Sequence, residues 1–204
     1  LTNVFLHIAC AVLLYFLLTV LCKDSALSFI AALLFVVHPL NTSVVNYVTS
    51  RADILMTIFT LLSLIFFLKA KNYTTYVASC ACFVCALLSK EVAVVLPVCL
   101  IVIHEMYLQM NERRARVDVV KARFWYLVFL SMSVLYILFR TKMVGLQSSI
   151  MPLHNVGFLT IVCTWLEILA AYVRLLFFPS GLHMLRVIDI GQVTSLRFGA
   201  CVLA

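Results

Sequence analysis

Apolar residues fill this chain in long unbroken runs, separated by short polar interruptions. The first run is Thr2 to about Cys22, and Lys23-Asp24 end it. A shorter run, Ser25 to Val37, stops at His38-Pro39, where proline disfavours helix at the residue before it. A polar stretch, Asn41 to Asp53, precedes a run from Ile54 to Leu68. Two more runs, Thr74 to Leu88 and Val92 to Leu108, flank Ser89-Lys90-Glu91, with Pro97 inside the second. A basic stretch, Gln109 to Arg123, leads to a run from Phe124 to Phe139. After the polar stretch Arg140 to Asn155, a last run spans Val156 to Phe178 and ends at Pro179. Each pass through a bilayer takes about 20 residues, so the pattern predicts about seven membrane helices with short loops. The expected fold is all-α, a polytopic transmembrane bundle, with residues 1–204 as a single transmembrane domain.

Composition removes the soluble alternative. Sixty-five per cent of residues are hydrophobic, 11% are charged, and the mean hydropathy is +1.16. A soluble domain is nearer half apolar and a quarter charged. A chain of 204 residues cannot hide that excess from water, so it faces lipid.

The net charge of +7 does not point to nucleic acid. Arg113, Arg114, Arg116, Lys121 and Arg123 cluster in one stretch, which reads as a cytoplasmic loop. Lys23, Lys69 and Lys71 fall on the same side by alternation, and Arg51, Lys90, Arg140 and Lys142 on the other. The positive-inside rule puts the larger set in the cytoplasm and the smaller at the outer or lumenal face. The eight cysteines lie in or beside apolar runs and read as small hydrophobes, the Cys82–Cys85 pair included. Trp125-Tyr126 reads as an aromatic anchor at the membrane boundary, and His104-Glu105 as interfacial. No metal-ligand set is assigned, and a divalent ion is left open.

Charges at membrane depth are costly and default to functional hypotheses. Three groups share the outer face: His38 with Arg51 and Asp53, then Lys90 and Glu91, then Arg140. Arginine forks and a lysine point charge suit a phosphate, and a phosphate at this depth implies a lipid-linked substrate. The competing reading pairs Arg51 with Asp53 and Lys90 with Glu91 as local loop charges.

The residues themselves carry a resemblance. Phe35-Val36-Val37-His38-Pro39-Leu40-Asn41-Thr42, then Ser50-Arg51-Ala52-Asp53, Leu87-Leu88-Ser89-Lys90-Glu91 and Tyr172-Val173-Arg174 through Pro179 stand in a telling order. They resemble the membrane domain of TMTC-like and bacterial tetratricopeptide-containing glycosyltransferases of the GT-C superfamily, similar to protein O-mannosyltransferases. The resemblance implies transfer of a sugar, mannose being expected, from a polyprenyl or dolichyl phosphate to protein serine or threonine. It implies an endoplasmic reticulum membrane, or a bacterial inner membrane. The partners it implies are membrane lipid, the lipid-linked sugar donor and an acceptor protein. Arg51, Lys90 and Arg140 are the expected donor-phosphate ligands, oriented by His38, Asp53 and Glu91. The family's catalytic acid sits in a first lumenal loop, expected before Leu1, and its repeat region after the last run. Ser43 stands where the family usually has an acid, Asn41 where histidine or glutamine is common, and Asp189 lies off the usual position near Leu185. A transporter or flippase for a lipid-linked anion would use the same cations, and a non-catalytic membrane subunit needs none of them.

Overall fold

Helix boundaries follow local chemistry. α1, Thr2–Cys22, closes at Lys23, whose left-handed backbone (φ 57°) turns the chain. Asp24 then starts α2, Ser25–Val37, by accepting from the amides of Ala26 (2.8 Å) and Leu27 (3.2 Å). These are donors that a helix start leaves without partners. α2 ends before Pro39, with His38 extended as the proline requires. A 3-10 turn at Pro39–Asn41 and the short α3, Thr42–Asn46, bend away from α2 by 49°. A second turn, Val48–Ser50, leads into α4, Arg51–Leu68, so Arg51 and Asp53 occupy its first turn. α5 spans Tyr73–Ser89.

Pro97 sets where the next helix can begin. Glu91–Val95 is a 3-10 segment, and α6, Leu96–Met110, starts just before the proline. In the first turn the missing N–H would be unsatisfied anyway, so the ring costs no bond there. The Val94 carbonyl in the 3-10 segment accepts from Ser133 Oγ of the next helix at 3.3 Å. That helix, α7, runs Ala115–Val144. It starts within the stretch expected to be a basic loop and continues past Arg140, because no glycine or proline interrupts the sequence between them.

The computed structural model describes residues 1–110, 115–144 and 158–178. Arg113, Arg114, Pro179 and Asp189 lie outside these, and Arg116 and Lys121 are described in backbone alone. Among the described residues every regular element is helical. Four helices are long and apolar enough to cross a membrane: Thr2–Cys22, Arg51–Leu68, Glu91–Met110 and Ala122–Met143. The number is five if α2 and Pro39–Asn46 form one broken span. α5, at 17 residues, is shorter, so the expected seven spans are not all met by length and composition.

The chain divides into two compact units, Leu1–Leu146 and Gln147–Ala204. In the second, α8 covers Phe158–Phe177, with Arg174 in its last turn. In the first, α4 and α5 run antiparallel in a register that three contacts fix. Phe67 meets Tyr76 at one end, Ser63 meets Ser79 in the middle, and Asp53 meets Lys90 at the other end. The Ser63 hydroxyl donates to the Ser79 carbonyl (3.0 Å) and the Ser79 hydroxyl to that of Ser63 (2.6 Å), both side chains being fully buried. Large apolar side chains such as Phe5, Phe16, Phe29, Leu34 and Leu135 stand exposed on the outside of these helices, as lipid-facing residues do.

Candidate functional site

The α4–α5 register has a consequence at its polar end. Lys90, the residue that closes α5, is extended, and its ammonium reaches Asp53 in the first turn of α4. Next to it, Glu91 accepts an ion pair from Arg140 of α7 at 3.3 Å. Arg140 also donates to the Tyr136 hydroxyl one turn earlier, at 3.2 Å. Three stretches of sequence far apart in the chain therefore bring Asp53, Lys90, Glu91 and Arg140 into one line of alternating charge. Asp53 is also well placed electrostatically, since a carboxylate in the first turn of a helix faces the positive end of its dipole.

The pairing differs from the local one that the sequence offers. Asp53 sits two residues from Arg51 but pairs with Lys90, and Glu91 adjoins Lys90 but pairs with Arg140. The register explains this: it sets the close of α5 beside the start of α4, while neighbours in a helix's first turn point to different sides. All four side chains stay between about a third and a half exposed, at 36% for Lys90, 37% for Asp53, 44% for Arg140 and 54% for Glu91. They are open to water and to a ligand.

Arg51 lies apart from this line. Its side chain is exposed, and among the described residues no carboxylate is within ion-pair range of it. Its Nε donates to Asn3 Oδ1 of α1 at 3.2 Å. His38 is half-buried and acts locally. Its Nδ1 accepts from the Leu40 amide at 3.2 Å, which caps the turn after Pro39. Asn41, beside it, donates from its side chain to the Phe35 carbonyl at 2.6 Å and so ties the turn back onto α2.

Asn3 does not stand out in the sequence, although a carboxamide in the first turn of an apolar helix is a visible signal. His7, one turn on, is also buried; its ring lies 5.0 Å from that of Phe35, and its Nε2 has no hydrogen-bond partner among the described residues.

At the opposite end of the same unit the chemistry is apolar. Phe67 meets the rings of Tyr76, His104, Tyr126 and Phe129 at centroid distances of 5.2–5.8 Å. Tyr76 stacks on Trp125 at 4.9 Å. Trp125 and Tyr126 are buried inside the bundle, near the start of the apolar span Ala122–Met143, and His104 is buried too, hydrogen-bonded through Nδ1 to the Tyr126 hydroxyl. Among the described residues no group of three histidine, cysteine or acidic side chains could hold a metal ion, and the six cysteines described are free thiols.

Comparison with known proteins gives one partial likeness. A human protein, Protein O-mannosyl-transferase TMTC2, is 33% identical over 99 residues, covering 45% of this chain and 12% of that protein. No family model matches the chain, and no solved structure matches it. The chain thus shares part of its length with a small part of an O-mannosyl-transferase.

Proposed function

We propose that this chain is the membrane region of a glycosyltransferase that uses a polyprenyl- or dolichyl-phosphate sugar and delivers the sugar, mannose by preference, to protein serine or threonine hydroxyls. The observation that carries the reading is the gathering of Asp53, Lys90, Glu91 and Arg140 from α4, the α5–α6 junction and α7 at one end of the unit. The partial likeness to an O-mannosyl-transferase supports it. In this reading the bundle has a GT-C arrangement of about seven spans, and the polar end faces the lumen of the endoplasmic reticulum or the outer face of a bacterial inner membrane.

The chemistry assigned to these residues is electrostatic. As the glycosyl bond breaks, negative charge grows on the departing lipid phosphate. Fixed cations already aimed there stabilise that charge without having to reorganise. Arg51 supplies a fork, Lys90 a point charge and Arg140 a second fork, while Asp53 and Glu91 hold the last two cations in place between turnovers. His38 shapes the turn beside them.

One observation favours a second reading. Lys90 and Arg140 each already have a carboxylate partner, so the cluster could be a clasp between helices in a non-catalytic subunit. A charge exchange separates the two. In full-length protein, Lys90→Ala should slow transfer from a radiolabelled polyprenyl-phosphate mannose about 100-fold or more, with expression and membrane insertion unchanged. Exchanging the partners, Asp53→Lys with Lys90→Asp, keeps the clasp and moves the cation. Transfer that stays low in the exchanged protein supports phosphate binding. Transfer restored by the exchange makes the pair structural.

A further inference from the structure

We propose that Asn3 is a positioning residue for Arg51: its buried carboxamide turns the guanidinium so that both terminal nitrogens face outward as a fork for the oxyanion of a lipid-linked phosphate. The inference rests on the reading of Arg51 as a phosphate ligand and extends it to a residue in another helix.

Asn3 is 7% exposed and lies in the first turn of α1. A carboxamide has two N–H donors and one carbonyl acceptor. Both functions are used. Nδ2 donates to the Tyr47 carbonyl at 2.8 Å and to the Val45 carbonyl at 3.2 Å, while Oδ1 accepts from Arg51 Nε at 3.2 Å. The two carbonyls lie where the five-residue α3 stops, and that of Tyr47 also accepts from the Ser50 amide at 3.2 Å. One buried side chain therefore closes the loop that precedes α4 and holds the first residue of α4.

The atom that is held decides what Arg51 can do. A guanidinium can grip an oxyanion through its Nε edge or through its two terminal nitrogens. Asn3 occupies Nε, which leaves the terminal pair for a ligand. Asn3 is also neutral. Lys90 and Arg140 are held by carboxylates, whereas Arg51 is oriented by a neutral group. Aspartate at position 3 would still accept from Nε, but it would neutralise the fork and lose both N–H donors. Alanine would release the guanidinium and the loop together.

The test is a double-mutant cycle on full-length protein in lipid nanodiscs, read as affinity for sugar-free polyprenyl phosphate. Asn3→Asp and Asn3→Ala should each weaken binding about tenfold or more, the scale of one charge-assisted contact. With Arg51→Lys, which has no planar fork to orient, Asn3→Ala should cost less than about threefold. An equal loss in both backgrounds would make Asn3 a loop cap alone and overturn the proposal. So would an absence of polyprenyl-phosphate binding by the unaltered protein. Inorganic phosphate, run in parallel, tells the sources apart. Binding of both ligands with the same Asn3 dependence supports an oxyanion site, and binding of the lipid form alone supports one that also reads the chain. Lipid-phosphate binding that depends on Asn3, in a protein that transfers no sugar, keeps this inference and removes the glycosyltransferase reading.

Discussion

At one end of the Leu1–Leu146 unit, Asp53, Lys90, Glu91 and Arg140 meet with a third to a half of their side-chain surface still open. At the other end, Phe67 and Phe129 are 2% and 0% exposed, and Phe67 holds four aromatic or imidazole rings within 5.8 Å of its own. The same helix pair, α4 and α5, runs between them. The difference follows from what each kind of contact tolerates. An ion pair stripped of water loses in desolvation what it gains in attraction, so paired charges are favoured where water still reaches them. Rings gain nothing from water and gain dispersion from every close neighbour, which matters inside a bilayer where lipid tails compete with any apolar side chain. One register of α4 and α5 thus places packed rings at one end and paired charges at the other.

The comparison makes the two ends separable by mutation. The largest effect on stability should come from the closed end. Phe67→Ala removes the ring that all four neighbours touch and leaves a cavity, at a cost of about 3–5 kcal/mol. Unfolding in mixed detergent measures it. A loss below about 1 kcal/mol would mean that neighbouring rings collapse into the space and that the closed end does not anchor the bundle.

Tyr126→Phe is a smaller change at the same end. The ring and its contacts stay, while the hydrogen bonds to His104 Nδ1 and to Glu105 Oε1 (3.5 Å) are lost. The expected cost is about 1 kcal/mol in the same unfolding assay, with sugar transfer unchanged. A fall in transfer without a fall in stability would show that the closed end reaches the chemistry, and the division of labour would fail.

Much of this is legible from order alone. Hydropathy locates the apolar helices, and Pro39 and Lys23-Asp24 mark places where they start or stop, because each acts on its own backbone; Pro97, read as inside a run, instead stands at the start of α6. Arg51, Lys90 and Arg140 stand out as charges beside apolar runs. Their partners do not, since the choice of Lys90 rather than Arg51 for Asp53 depends on the α4–α5 register, which sequence neighbours do not encode. Asn3 is hidden for the same reason: its three bonds reach residues 42 to 48 positions away. The packing of Trp125 and Tyr126 is not legible either, because a ring with a polar tip suits both a boundary and a packed interior, and only the neighbours show that these two are buried. The helical reach of α7 is hidden because charge reads as a sign of loop, although lysine and arginine are good helix formers.

The smallest expected effect lies midway between the ends, at the Ser63–Ser79 clasp. Each hydroxyl donates to the other residue's carbonyl, so the two bonds join the backbones of α4 and α5 with no charge involved. Hydrogen bonds between membrane helices average about 0.6 kcal/mol by double-mutant cycles, because unfolded helices in lipid find other partners. Alanine nearly matches serine in size, so Ser63→Ala and Ser79→Ala should leave the packing intact and cost about 0.6 kcal/mol each. The double variant tests whether the clasp is one device. Reciprocal bonds should couple, giving a combined loss that departs from the sum, whereas independent bonds should add. Transfer is the more telling readout. If the closed end alone sets the register, the double variant transfers sugar at the original rate. If transfer falls several-fold with stability nearly unchanged, the clasp itself holds Lys90 opposite Asp53. The register would then be set at the middle of α4 and α5, and the Phe67 cluster would supply stability without alignment.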